Sequence, residues 1–219
     1  MKKKILCIGA HPDDLELGMG GTIAKHVDKD HEVHLVICTQ GIGGKSGDPK
    51  LRMDEAKKAA DILGADLHLI DYPVLRLNRP SSDFSKLISN LIESMGPDRV
   101  YTHSPHDYHQ IHHTVAQSVT DVTDQIRELV YYEIISSTSP DFKPNAYVDI
   151  TDYIDLKLNS LSAHQTQGSK VFMIANAVKS LAYARYSLSK IGLKYDGMAE
   201  AFTIHRFLVE DCLDGVLGK

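Results

Sequence analysis

The sequence predicts an α/β fold, a mostly parallel sheet with helices on both faces, in one domain spanning residues 1–219. Three observations predict it. Short β-branched apolar runs alternate with segments of helical periodicity, and parallel strands need such crossovers. With 219 residues, 42% of them hydrophobic, the chain can bury one substantial core but is short for two. The polar, histidine-rich stretches fall where the predicted strands end.

Residues 5–8 and 33–39 read as strands flanking a helical segment around residues 23–27. Asp48-Pro49 supplies a cap and first turn for a helix to about Leu63, followed by a strand over residues 67–70. A helix over residues 83–95 leads to a strand over residues 99–102. His112, Val115, Val119, Val122 and Ile126 form one stripe of the next helix, and residues 129–135 are a further strand. The last third departs from this alternation. After Val148-Asp149-Ile150, Thr151 caps a helix with Ile154, Leu158 and Leu161 on one face. The helical region then extends to about Ile191, and residues 200–209 form a final strand.

Composition excludes several functions. Lys and Arg total 24 against 29 Asp and Glu, a net charge of -5, and no basic face stands out, so neither a nucleic-acid nor a membrane partner is expected. A small neutral or sugar-like substrate fits better. Met1-Lys2-Lys3-Lys4 has the charge of a signal peptide, but the apolar run behind it stops at Gly9. A cytoplasmic protein is expected. Cys7, Cys38 and Cys212 are odd in number and without a CxxC pair, which argues against a disulfide framework and a thiolate metal site.

Right-handed crossovers bring the strand carboxyl ends to one edge, where ligands bind in such sheets. His11-Pro12-Asp13-Asp14-Leu15-Glu16 follows the first strand, and places carboxylates so close that a cation or proton must offset their repulsion. Helix capping by Asp13 or Asp14 is the plain alternative for this motif alone. His103, His106, His109, His112 and His113 follow the fourth strand and favour a metal. A catalytic zinc site needs about three protein ligands and an open position, and His11, Asp14 and His112 supply them. The expectation is one Zn2+ per chain, although Fe, Co, Ni or Mn suit the same donors. His109 lies one helical turn before His112, on the same side. Asp13, next to a ligand, is the candidate base for a bound water. Gly18, Gly20 and Gly21 do not complete a dinucleotide fingerprint, because its third glycine is Ile23 and the second strand ends in Thr39-Gln40 without an acid. Tight helix-to-strand packing is the better use for them.

The stretch from Ala10 to Glu16, with Gly20-Gly21-Thr22 behind it, resembles the AHPDDxE signature of the LmbE-like, PIG-L family of N-acetylglucosaminyl deacetylases. Arg52 and Glu55 resemble the family's RxxE helix, and Asp107 to His112 its DxHxDH block. Lys157, His164 and Gln167 resemble its K…HxxQ helix, and Ala199-Glu200-Ala201-Phe202 its closing AEAF. The resemblance implies a zinc hydrolase on a Rossmann-like sheet that removes acetyl from a GlcNAc-type amino sugar. It implies His11, Asp14 and His112 as ligands, Asp13 as base, His109 as oxyanion stabiliser or proton donor to the amine, and Arg52 as the residue that orients the sugar. It also implies a homo-oligomer, a trimer or hexamer. The family's Asp between the two histidines is Ile111 here, which leaves His109 without that carboxylate.

The alternative is a metal amidohydrolase on a non-sugar N-acyl substrate, or a weakly active sugar-binding protein. Residues 40–50 and 71–82 are the loops expected to select the substrate. Lys157, His164 and Gln167 share roughly one helical face and are open to packing, substrate or a subunit contact. His103, His106 and His113 read as polar rim, and His26, His31, His34, His68 and His205 need no function.

Overall fold

The computed structural model describes residues 2–41, 48–73, 79–190 and 195–208. Five parallel strands form most of the sheet: β1 (Lys4–Gly9), β2 (Glu32–Ile37), β3 (Asp66–Leu69), β4 (Arg99–His103) and β5 (Glu128–Tyr132). Two more, β6 (Ala146–Asp149) and β7 (Ala199–Phe207), complete the order β3-β2-β1-β4-β5-β7-β6, with β7 antiparallel to both its neighbours.

Side-chain alternation along the central strands divides the core in two. Ile5 and Cys7 of β1 join one apolar cluster, and Leu6 and Ile8 join the other. A strand buried on both faces has no solvated side, which is why β1 reads as a continuous apolar run. The first cluster is covered by helices α1 (Asp14–Asp28), α2 (Pro49–Leu63), α5 (Ile154–Ser162) and α6 (Ala175–Ser189). The second is covered by α3 (Ser82–Met95) and α4 (Gln110–Asp121), where Phe84 and Ile88 are fully buried. Each such side chain contributes about 1.5–3 kcal/mol.

Local signals fix most boundaries. The Asp48 carboxylate accepts the Lys50 N–H at the start of α2, Pro49 occupies its first turn, and Gly64 ends it at φ 72°. Ser81 caps α3 through the Phe84 N–H. Several boundaries differ from the sequence expectation. Helix α1 begins at Asp14, nine residues before the segment that looked helical, and is kinked at Met19. Helix α4 stops at Asp121, although Ile126 beyond it still packs in the core. The expected helical region after Thr151 is broken after Ser162 by short 3-10 turns. Asp149, not Thr151, does the capping there, accepting both the Thr151 N–H and its hydroxyl. The four-residue β6 was not anticipated. The expected ends of the last helix and strand, Ile191 and Val209, lie outside the described residues, as do 42–47 and 74–78 of the two specificity loops.

The kink in α1 has a visible cause. It frees the N–H groups of Gly21 and Thr22, which donate to the Glu200 carboxylate at 3.0 and 2.7 Å. Lys157 in turn bonds Glu200 and the Leu17 carbonyl. The glycines pack tightly: a Cβ on Gly18 would lie 2.5 Å from the Tyr132 ring, and one on Gly21 2.8 Å from Ile150. Lys157, His164 and Gln167 are buried at 3%, 1% and 0% exposure, so they face the interior of the chain.

The chain builds from β1 outward to β2 and β3, then crosses back to place β4 on the other side of β1. At such a reversal the connections leave in opposite directions and open a crevice at the carboxyl ends of the two central strands. Residues after β1 and β4 therefore face each other. Among the described residues, no helix is long and apolar enough to cross a membrane.

Candidate active site

The turn after β1 carries His11, Asp13 and Asp14 into that crevice. Asp14 is the first residue of α1 and is 5% exposed. Its Oδ2 accepts the His11 N–H at 2.7 Å and lies 3.3 Å from His11 Nδ1. Its Oδ1 lies 3.4 Å from His112 Nε2, and that nitrogen is 3.1 Å from His11 Nδ1. His112, at 3% exposure, comes from the first turn of α4, delivered by the loop that follows β4. His11, Asp14 and His112 thus lie side by side, and among the described residues two overlapping groups, each sharing two of these three residues, could hold a metal: His11, His109 and His112, or Asp14, His103 and His112.

His103 was expected at the rim and is instead completely buried, stacked 4.1 Å from the His112 ring. It is the last residue of β4, and the position alone could have placed it in the site. Its Nε2 accepts the Ala10 N–H at 3.0 Å, which occupies the lone pair a ligand would use. His109 is the N-cap residue of α4, more exposed, with its ring stacked 4.3 Å from His112 and edge-on to His11 at 4.9 Å. His106 and His113 stay at the rim.

Asp107 plays a part that the sequence did not assign. Its Oδ2 lies 3.2 Å from His112 Nδ1 and accepts the Ser137 hydroxyl at 3.0 Å, while Oδ1 accepts the His109 backbone N–H at 2.7 Å. A carboxylate on Nδ1 fixes the tautomer that leaves Nε2 facing Asp14 and His11. Asp107 therefore supports His112, not the His109 ring. Ile111, where the resembling family has Asp, is buried in the apolar cluster that includes Ala10, Val36 and Val115.

Asp13 adopts φ 98° and ψ -23°, a left-handed conformation that costs a non-glycine residue on the order of 1–3 kcal/mol and tends to mark functional turns. Its side chain makes no capping bond. It faces Arg52, whose Nη2 is 3.6 Å from Asp13 Oδ1 and donates to the Pro12 carbonyl at 2.8 Å. Arg52 Nη1 donates to the Gly41 carbonyl at 2.7 Å, and Gly41, at φ 66°, leaves no room for a Cβ beside that guanidinium. Both terminal nitrogens of Arg52 thus hold the turns around Asp13. Glu55, one turn on, accepts the Thr166 N–H and hydroxyl and fixes the segment that carries His164.

The electrostatics follow from this packing. Burial and then the neighbouring Asp14 raise the Asp13 carboxyl to about 6, against the opposing pull of Arg52. Burial alone would raise Asp14 too, but His112, His11 and His103 outweigh it and hold Asp14 well below the usual carboxylate range. Burial opposes charge on His112, yet Asp14 and Asp107 raise it to about 10. Burial and then His112 push His103 and His109 down to about 4. Without a metal, the cluster settles as an ionised Asp14 against a protonated His112, so a positive charge belongs at its centre.

Fold and site together define a class: α/β proteins with a polar, potentially metal-holding cluster at the switch point of a parallel sheet. The chain belongs to the PIG-L family, whose model, described as GlcNAc-PI de-N-acetylase, matches residues 6–123. It is 32% identical over 173 residues to YaiS of Escherichia coli, described as an uncharacterized deacetylase, covering 75% of this chain and 92% of that one. It is 29% identical over 188 residues to diacetylchitobiose deacetylase of Thermococcus kodakarensis, covering 75% and 70%. Among solved structures, the conserved protein TT1542 from Thermus thermophilus superposes with a TM-score of 0.81 at 23% identity, over 95% of this chain and 97% of that one. GalB of Pseudomonas putida, a 4-carboxy-2-hydroxymuconate hydratase, gives 0.77 at 20% identity over 96% and 99%. Both of these likenesses, at 23% and 20% identity, are of fold alone.

Proposed function

We propose that this chain removes the acetyl group from the nitrogen of a GlcNAc-type amino sugar, with one zinc ion per chain held by His11, Asp14 and His112. The observation that carries this reading is the convergence of three side chains: His11 Nδ1 lies 3.1 Å from His112 Nε2 and 3.3 Å from Asp14 Oδ2, and His112 Nε2 lies 3.4 Å from Asp14 Oδ1. A tetrahedron with zinc–ligand distances near 2.0–2.1 Å has edges of about 3.3 Å. Each of these pairwise separations is close to that edge, and three protein donors would leave a fourth position for water or substrate. When bound, zinc supplies Lewis acidity toward the acetyl oxygen and makes a water more acidic.

Asp14 turns to the imidazoles while Asp13 turns to Arg52, so neighbouring carboxylates take different tasks. Asp13, raised to about 6, is suited to take a proton from the attacking water and return it to the departing amine near neutral pH. His109, held at about 4, is neutral at pH 7 and donates an N–H to the developing oxyanion; it is not the source of the amine's proton. A cation in place of the His112 proton keeps His109 in that state. Arg52, which the resemblance assigns to the sugar, has its terminal nitrogens on Pro12 and Gly41, and we assign it to holding Asp13 in position.

The sugar class is supported by the family's description and by the chitobiose-acting relative. A cytoplasmic location fits the unpaired Cys7 and Cys38. A homo-oligomer fits exposed apolar side chains such as Val171, Ile174 and Leu188, and a trimer or hexamer rests on the family resemblance alone. Acetate release tests the reaction. Zinc-loaded protein is expected to release acetate from N-acetylglucosamine or N,N'-diacetylchitobiose but not from an N-acetyl amino acid. The reverse preference supports a non-sugar amidohydrolase, and no release from any of them contradicts the proposal.

A further inference from the structure

At the opposite edge of the sheet, where the strands begin, a second cavity of about 390 Å³ opens between α1, β1, β4 and β6. Its charge is unlike that of the chain as a whole, which is -5. Lys3, Lys25, Lys29 and Arg99 line it together with His26 and His31. Lys3 and Arg99 share a single buried carboxylate, Glu128, so one positive charge of that trio is left over. Lys29 has no ion pair among the described residues. Lys25 donates to the Asp149 carbonyl, while the Asp149 carboxylate is engaged with Thr151.

The imidazoles add donors, not acceptors. His31 Nδ1 accepts the Lys3 N–H at 3.0 Å, which puts the hydrogen of the neutral ring on Nε2. Arg99 Nη1 donates to the Tyr101 hydroxyl at 2.9 Å, and that hydroxyl can in turn donate to His26 Nε2, 3.0 Å away, leaving the hydrogen of His26 on Nδ1. Both rings are kept neutral, by burial first and then by Arg99 and the lysines; His26 is pushed down to about 3. The C-terminal dipole of α1 accounts for Lys25 and His26. It does not account for Lys3, His31 or Arg99, which come from the starts of three strands.

The opposite wall is polar and carries the single carboxylate of the lining, Asp149. Thr22 is 2% exposed there, and its hydroxyl has no hydrogen-bond partner, an expense for a buried group that a ligand would remove. Tyr147 and Asp149 lie beside it. An inorganic anion would leave this wall bare, since the volume exceeds what one phosphate fills.

We propose that this cavity binds a small molecule carrying a phosphate monoester, with the phosphate among Lys3, Lys29, Arg99 and the two imidazole N–H groups and a sugar-sized polyol against Thr22. The site is separate from the switch-point crevice and does not depend on the reaction there. Isothermal titration of the zinc-loaded full chain with glucose 6-phosphate, inorganic phosphate and glucose tests it. Glucose 6-phosphate is expected to bind at least about tenfold more tightly than inorganic phosphate, with no binding of glucose. Lys29→Gln should weaken both anions about tenfold while acetate release stays unchanged, because Lys29 lies outside the catalytic crevice. Thr22→Val, which fills the same volume, should weaken only the ester. Lack of saturable binding at concentrations on the order of 10 mM overturns the proposal, as does binding that Lys29→Gln leaves untouched. Equal affinity for ester and inorganic phosphate, unaffected by Thr22→Val, overturns the assignment of an ester.

Discussion

Asp107→Asn separates support of a metal ligand from direct action on substrate. The wild-type carboxylate meets His112 Nδ1 at 3.2 Å and is buried at 6% exposure, so no water replaces it. Asparagine retains an oxygen for the His109 N–H, now at 2.7 Å, and the loop should keep its shape. The amide presented to His112, however, can donate to Nδ1, which moves the ring hydrogen to Nε2 and blocks the lone pair facing His11 and Asp14. Loss of such a supporting partner costs 10- to 100-fold in metal affinity, about 1.4–2.7 kcal/mol. In the metal-free protein the same change should bring the His112 titration down from about 10, since Asp107 is one of its two anionic neighbours. Zinc affinity by chelator competition and the His112 ring signals by NMR read these effects. Zinc affinity within about twofold of wild type, alongside lost turnover, would refute the reasoning and move Asp107 to substrate or His109.

Other perturbations follow from contacts elsewhere. Lys157→Met removes the cation beneath Glu200 and strands a buried carboxylate, so urea denaturation should show a loss of about 3–5 kcal/mol. Gly18→Ala puts a Cβ 2.5 Å from the buried Tyr132 ring and should cost about 1–3 kcal/mol in the same assay. His26 titrates near 3 in the folded chain and near 6.5 unfolded, so the unfolded state binds the extra proton between those values. Its contribution to stability is present above 6.5 and lost as pH falls toward 3. His26→Gln should flatten that acid-side slope by up to about 1.4 kcal/mol per pH unit, and an unchanged slope would clear His26.

The legible parts of this chain are those set by local chemistry. The Asp48-Pro49 start of α2 needs only neighbours in sequence, and β1 shows its double burial as an unbroken apolar run. The approach of His11 and Asp14 to His112 followed from sheet topology, since both strands end at one edge. What stayed hidden depends on partners far along the chain. Asp13 starts α1 from a left-handed backbone held by Arg52 through Pro12, and no helical periodicity announces that. Glu200 kinks α1 across 178 residues of sequence. His103 and His106 look alike in the sequence, and only the last position of β4 turns one of them inward. His26 and His31 carry no functional signal in the sequence, because Lys3 and Arg99, two of the cations beside them, come from distant stretches of chain.

The central claim is that Asp13 moves the proton while Asp14 and His112 hold the metal. Zinc content and acetate release, measured together on Asp13→Asn and His112→Ala, test it most directly. Asp13→Asn should keep one zinc per chain and lose about 10²–10⁴ in turnover, the contribution of a positioned base. His112→Ala should lose the zinc as well as the turnover. If both variants lose zinc to the same extent, or if Asp13→Asn turns over as the wild type does, the division of labour described for this site is contradicted.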